Sequence, residues 1–260
     1  MYALIYRINV TSNIKKQFLH GLIPMCSNVF TIVLFIHLLL NVVMTDRDQS
    51  NKELVLYTQP SFLKVFSKDV RLFEVNGVTW KVKQDWNQLG VAGVIWESAL
   101  ILSRYLVDNN HLIKGRSVIE LGAGTGLVGM VTATLGAESV AVTDKEMRMI
   151  QENLSLNRDH LNQSCITPLF YEWGSPLPLS SHIDVVLGSD IIYIEETYPL
   201  LIHTLNELCT SPDVLVLLSA QERYDKVKLF MKQLLQGGGF TSNVVGTEGT
   251  VRIFSIRKTL

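Results

Sequence analysis

Glu120, Gly122, Gly124, Gly126 and Asp144 have the types and spacing of a nucleoside-cofactor site. Residues 118–126 read Val-Ile-Glu-Leu-Gly-Ala-Gly-Thr-Gly, and the next apolar run, residues 139–144, ends on a single acid. Glycines in such a turn let backbone N–H groups approach a ligand with no Cβ in the way. A carboxylate about 20 residues on accepts hydrogen bonds from ribose hydroxyls. The dinucleotide pattern G-x-G-x-x-G is not met, because the third glycine comes one residue early and Leu127 follows. Glu120 would repel a pyrophosphate and suits a cation. S-adenosylmethionine, a sulfonium with an ammonium, fits these residues. A nucleotide, or a glycine turn with no ligand, are the other readings.

A second cluster follows at Asp190, Ile191, Ile192 and Tyr193. An acid and a phenol three residues apart, just past a strand, can face one cavity. The plainer reading makes Asp190 a turn or helix-capping residue. Trp96 also has two readings, as core packing or as an aromatic wall for adenine and a sulfonium.

These residues need elements to hold them. Apolar runs and turn signals predict strands at 118–121, 139–144, 166–171, 183–189, 214–219, 240–246 and 250–257. Helices are predicted at 94–102, 126–135, 145–157, 195–209 and 224–236, the last stopped by glycines 237–239. That is an α/β parallel sheet with an antiparallel pair at its end. Ligands in such sheets sit beyond the carboxyl ends of the strands, where Glu120, Asp144, residues 171–173 and Asp190 are expected to converge. An alternating hairpin precedes the sheet at 71–82, turning at Asn76-Gly77.

The chain of 260 residues suffices for one such domain with an extension. A net charge of −1 gives no basic footprint for nucleic acid. Cys26, Cys165 and Cys209 are far apart and form no C-x-x-C, so neither a metal site nor a disulfide framework is indicated.

The ordered set Gln84-Asp85-Trp86, Gly93 to Trp96, Val118 to Gly129, Thr143-Asp144, Glu172-Trp173-Gly174 and Gly188 to Glu196 resembles the seven-strand protein-lysine methyltransferases of the D-x-x-Y type. It is most similar to the methyltransferase-like branch that modifies Hsp70 chaperones. The resemblance spans roughly residues 56–258. It implies a Rossmann-like, seven-stranded class I S-adenosylmethionine-dependent methyltransferase fold with an N-terminal β-hairpin extension. It implies that Gly122, Ala123 and Gly124 cradle the methionine part of the cofactor and that Asp144 binds the ribose. Trp96 and Trp173 would line the pocket, and Ser189, where close relatives often carry Ala, would touch the cofactor. Asp190 and Tyr193 match the acceptor-side motif. The implied reaction methylates a lysine ε-amine of a folded protein, an Hsp70-type chaperone. Asp190 would capture and aim that lysine, and Tyr193 would orient it. A small-molecule methyltransferase and a non-catalytic chaperone-binding module are the alternatives. The variable hairpin 71–82 and loop 221–225 are expected to form the substrate surface.

The N-terminus fits this picture poorly. Residues 22–44 carry no charge and are long enough to span a bilayer. Lys15 and Lys16 precede them, and Asp46, Arg47 and Asp48 follow. Positive-inside logic would then send the domain across the membrane, away from a cytosolic cofactor and chaperone. No clear small-x-small cleavage site follows the apolar run. The segment is read as an anchor, as an extra apolar helix, or as residues ahead of a working start at Met44. The expected organisation is an apolar extension with polar linker over 1–55 and the catalytic domain over 56–260. The expected location is cytoplasmic, with membrane anchoring through 22–44 as the alternative. Sequons at Asn153 and Asn162 would report a lumenal domain.

Overall fold

The computed structural model describes residues 69–179, 182–222, 225–237 and 239–259. The expectations for 1–55, for the apolar stretch 22–44 and for a start at Met44 therefore lie outside the described residues, as do residues 56–68 and part of loop 221–225.

Strands β1 (Val70–Val75) and β2 (Val78–Lys83) form the expected hairpin. Asn76 and Gly77 both take positive φ, 55° and 69°, as a two-residue hairpin turn requires. Its alternation buries Phe73, Val75, Trp80 and Val82. A short helix α1 (Trp86–Leu89) and a 3₁₀ turn (Gly90–Gly93) lead into helix α2 (Glu97–Asp108).

The rest alternates as predicted: β3 (Ser117–Leu121), α3 (Leu127–Thr134), β4 (Ser139–Asp144), α4 (Arg148–Leu156), β5 (Ile166–Phe170), β6 (Val185–Ser189), α5 (Tyr198–Leu208), β7 (Leu215–Gln221), α6 (Lys226–Gly237), β8 (Phe240–Glu248) and β9 (Val251–Lys258). Seven strands make one sheet in the order β5-β4-β3-β6-β7-β9-β8. β3 to β7 are parallel, and β9 joins antiparallel to both β7 and β8. The strand order reverses between β3 and β6, which is where such sheets place ligands.

Period-two alternation splits the core between the two sheet faces. Val118, Val140, Val142, Val185, Leu187, Leu215 and Leu217 pack with α2, α3 and the hairpin. Ile119, Leu121, Ala141, Val186, Val216 and Leu218 pack with α5 and α6. Among the described residues no single helix is long and apolar enough to cross a membrane.

Two boundaries differ from the sequence reading for clear reasons. The helix expected from residue 94 begins at Glu97, because Ile95 N–H donates to Gln84 Oε1 (2.9 Å) and residues 94–96 stay extended. Trp96 is thus the residue capping α2, not part of it. The helix expected from residue 145 begins at Arg148, because Asp144 Oδ1 accepts the Glu146 N–H (2.9 Å) and turns the chain first.

Candidate active site

Leu121 of β3 pairs with Gly188 of β6, so residues 122–124 and 189–190 leave the sheet side by side. This register brings the glycine loop next to the acid and the phenol.

The loop is shaped by what surrounds it. Gly122, Gly124 and Gly126 all have positive φ, which only glycine adopts at low cost. A Cβ on Gly122 would lie 3.1 Å from the Trp173 ring, and one on Gly124 would lie 2.9 Å from the Ala92 carbonyl oxygen. The loop is thus roofed by Trp173 on one side and by the segment 84–96 on the other. Ala123 is buried between them, and its N–H donates to Thr143 O (3.0 Å).

Asp144 is 9 % exposed. Its Oδ2 accepts the Gly124 N–H (2.9 Å), and its Oδ1 serves Glu146. Each carboxylate oxygen has a further lone pair, so the residue fixes the loop and still offers acceptors toward a ribose.

Glu120 sits differently from the sequence expectation. It is 1 % exposed and lies beneath the loop, not on the rim. It shares a strand face with Val118, so it points to the α3 face, where Oε2 accepts the Gly129 N–H (2.7 Å). Burial pushes its pKa up to about 8, opposed by the Gly129 hydrogen bond and reinforced by Asp144. In the chain alone this carboxyl is mostly protonated at neutral pH, so simple repulsion of a pyrophosphate is not its main effect. Its Oε1 is buried with no hydrogen-bond partner in the protein.

Tyr171 was expected at the rim with its neighbours, but it is 4 % exposed and turned into the core. Its hydroxyl meets Thr204 Oγ1 (3.2 Å) and Ser175 O (3.3 Å). Trp173 stays half-buried beside Gly122. Trp96 is also half-buried, and its indole N–H donates to Val91 O (2.9 Å).

Ser189 and Asp190 are half-buried at the end of β6. Asp190 has φ of 53°, a left-handed conformation that Asp tolerates better than most residues. Its N–H donates to Ser219 O (2.8 Å), and its Oδ1 accepts the Gln221 N–H (3.2 Å). The turn throws Ile191 inward against Gly122 and Gly188 and leaves Tyr193 44 % exposed. The Tyr193 phenol is nevertheless held above its usual pKa, first by desolvation, then by the carboxylates of Asp144 and Asp190. Lys226 Nζ fixes this segment by donating to Tyr193 O (2.9 Å).

Sequence reasoning missed several residues that build the site. Ile191 packs the acceptor segment on the loop. Arg148 holds Asp85 (2.9 Å) and so ties down the segment 84–96; its hydrogen bond draws the Asp85 carboxyl below the usual range. Asn153 on α4 and Asn157, four residues later at its C-terminal cap, grip the hairpin. That N-x-x-x-N spacing was the available signal. Among the described residues no group of three or more His, Cys, Asp or Glu could hold a metal.

The cradle fits S-adenosylmethionine. Cβ atoms would fill the space at Gly122 and Gly124, Asp144 offers acceptors at its edge, and a buried carboxyl oxygen of Glu120 lacks a partner. The lysine methyltransferase family profile matches residues 75–237. Protein N-lysine methyltransferase METTL21A of Danio rerio is 42 % identical over 60 % of this chain and 72 % of its own length. The Xenopus tropicalis protein of that name is 40 % identical over 70 % and 85 %. EEF1A lysine methyltransferase 3 of Xenopus tropicalis is 34 % identical over 73 % and 80 %. Among solved structures, the 16S rRNA N2 G1207 methyltransferase of T. thermophilus, in complex with AdoMet and guanosine, superposes with a TM-score of 0.54 at 16 % identity. It covers 73 % of this chain, while this chain spans 50 % of it, and the likeness bears on the fold alone. The chain belongs to the lysine methyltransferase family and is an S-adenosylmethionine-dependent protein-lysine N-methyltransferase.

Proposed function

We propose that this enzyme methylates a lysine of an Hsp70-type chaperone in the cytoplasm. Trp96, Glu120, Gly122, Ala123, Gly124, Asp144, Trp173 and Ser189 form its cofactor side, and Asp190 and Tyr193 its acceptor side. The observation that carries the division of sides is the Leu121–Gly188 register, which sets the glycine loop and Asp190 on either side of one switch point.

S-adenosylmethionine, when bound, supplies an electrophilic methyl group on a sulfonium. The residues must then deliver a neutral amine. Deprotonating a lysine of pKa near 10.4 at neutral pH costs about 4–5 kcal/mol. A carboxylate beside an amine favours the ammonium, so Asp190 captures and aims the lysine and does not lower that cost. Tyr193, whose phenol is protonated at neutral pH and held further above its usual pKa, offers a hydroxyl to orient the nitrogen. Water reaches this side of the site, since Tyr193 is 44 % exposed, and takes the proton. Orientation then provides most of the acceleration.

Residues 190–197 link β6 directly to the next helix, which leaves no long lid for a small acceptor and supports a protein substrate. A translation elongation factor is the second reading, supported by the relative named as an EEF1A lysine methyltransferase. The test incubates the full chain with methyl-labelled S-adenosylmethionine and either purified cytosolic Hsp70 or elongation factor 1A, with Asp190→Asn alongside. Label on an Hsp70 lysine, lost in the variant, is the expected result. Label on the elongation factor alone would overturn the chaperone assignment.

A further inference from the structure

Asn153 lies on α4, 0 % exposed, and its side chain makes three hydrogen bonds, two to Lys83 of the hairpin and one to Thr125 of the glycine loop. Its Oδ1 accepts the Lys83 N–H (2.7 Å). Its Nδ2 donates to Lys83 O (3.2 Å) and to Thr125 O (3.0 Å). One amide thus completes the edge of β2 and fastens the glycine loop. Asn157, one turn later and 1 % exposed, grips the hairpin in the same way. Its Oδ1 accepts the Lys81 N–H (2.9 Å), and its Nδ2 donates to Lys81 O (2.8 Å) and Asn153 O (2.7 Å). Its side chain bonds Lys81, Met130 and Asn153 and not the loop, so the two asparagines form a natural comparison.

We infer that Asn153 is a positioning residue for the cofactor loop, holding the Thr125 carbonyl so that the loop, α4 and the hairpin are set as one unit. The loop needs such a tie. Gly122, Gly124 and Gly126 have lost the stiffness that side chains give, and Asp144 secures only its Gly124 N–H. Asn153 secures the Thr125 carbonyl, two peptide units farther along the loop. An amide is the residue type that can do both tasks, because it offers an acceptor to Lys83 N–H and two donors to two carbonyls. An aspartate would keep the first bond and set a charge against both carbonyls. The inference rests on the glycine loop being the seat of the cofactor.

The experiment compares the full chain with Asn153→Ala, Asn153→Asp, Asn157→Ala and Asp144→Ala. It measures the S-adenosylmethionine dissociation constant, kcat at saturating cofactor, thermal unfolding, and amide hydrogen exchange over residues 122–127. Asn153→Ala is expected to raise the cofactor dissociation constant by about fivefold, the effect of one neutral hydrogen bond, and to speed exchange in the loop. Asn157→Ala is expected to lower the unfolding temperature to a similar extent with cofactor affinity and loop exchange near wild type. Asn153→Asp, which keeps the shape, reports on the donors if the alanine variant fails to fold, and is expected to match it in affinity loss. Equal affinity and equal loop exchange in the Asn153 and Asn157 variants would overturn the inference while leaving the seat intact. Unchanged affinity in Asp144→Ala would place the seat elsewhere and overturn the reading beneath it.

Discussion

Ile191 Cγ2 lies 2.8 Å from where a Cβ on Gly122 would stand. The residue after the acceptor-side acid therefore occupies the space left by the first glycine of the cofactor loop. Gly122→Ala is expected to weaken cofactor binding by more than tenfold and to lower stability by roughly 1–3 kcal/mol, from backbone strain and overpacking together. Ile191→Ala in the same chain removes the closer contact but neither the Trp173 ring at 3.1 Å nor the φ of 59°, so it is expected to restore part of the loss. A double-mutant cycle by denaturant unfolding measures the coupling; strict additivity would show that the two residues do not meet.

Asp190→Asn keeps the left-handed turn, which Asn also tolerates, and keeps an acceptor for the Gln221 N–H. It removes only the charge. The expected outcome is a 10- to 150-fold fall in kcat/KM for the protein acceptor, at roughly 1.5–3 kcal/mol for a lost charged hydrogen bond, with cofactor affinity within about twofold. Asp190→Ala adds the cost of a left-handed alanine, so it is expected to unfold at a lower temperature than Asp190→Asn. Equal activity of the Asn variant and wild type would remove Asp190 from the acceptor side.

Tyr193→Phe tests the hydroxyl alone. Loss of one hydrogen bond to the amine is expected to reduce kcat by about tenfold, with little change in cofactor binding measured by calorimetry.

Glu120 makes stability depend on pH in an unusual direction. Its folded pKa of about 8 stands above the ordinary 4.5. Below the unfolded value both states are protonated and nothing changes. Between the two values the folded state holds the proton that the unfolded state has lost, so stability falls as pH rises, by at most about 1.4 kcal/mol per unit. The slope ends above the folded pKa. Urea unfolding from pH 5 to 9 is expected to show this decline, and Glu120→Gln to flatten it. A decline that persists in Glu120→Gln would assign it to another group.

Arg148 and Asp85 tie the roof segment over Gly124. Both side chains are half-buried and keep some contact with solvent, which makes the tie moderately sensitive to salt. Arg148→Met is expected to raise the cofactor dissociation constant about threefold, within the span set by exposed ion pairs, and high salt is expected to weaken the wild-type protein but not the variant.

The sheet was legible because its central strands are buried on both faces and bounded by turns, and the hairpin because Asn76-Gly77 can hardly be read otherwise. Asp144 and Asp190 were legible as acids ending apolar runs. Glu120 was found as a residue but misplaced, since its depth depends on which face of β3 it takes. Tyr171 misled because a polar tip at a strand end looks the same whether it meets solvent or Thr204. Trp96 was put on a helix because nothing in the apolar spacing of 94–102 reveals the Gln84 side chain that keeps its start extended. Asn153 was read as part of a glycosylation sequon. Its burial and its three bonds leave no room for a glycan on the folded protein, so of the two sequons among the described residues the exposed Asn162 is the one open to a glycan there.

The grip of α4 on the hairpin also sets an order of events during synthesis. β2 must wait for partners 70 and 76 residues farther along the chain. At about 5–20 residues per second, that wait is roughly 4–15 seconds. For that time Trp80 and Val82, fully buried in the finished protein, have no helix α4 to dock against. The hairpin is the first described element to emerge and is completed only after α4 has followed it, so weakening either asparagine would be felt by the nascent chain, and by whatever chaperone attends it, before it is felt by the enzyme.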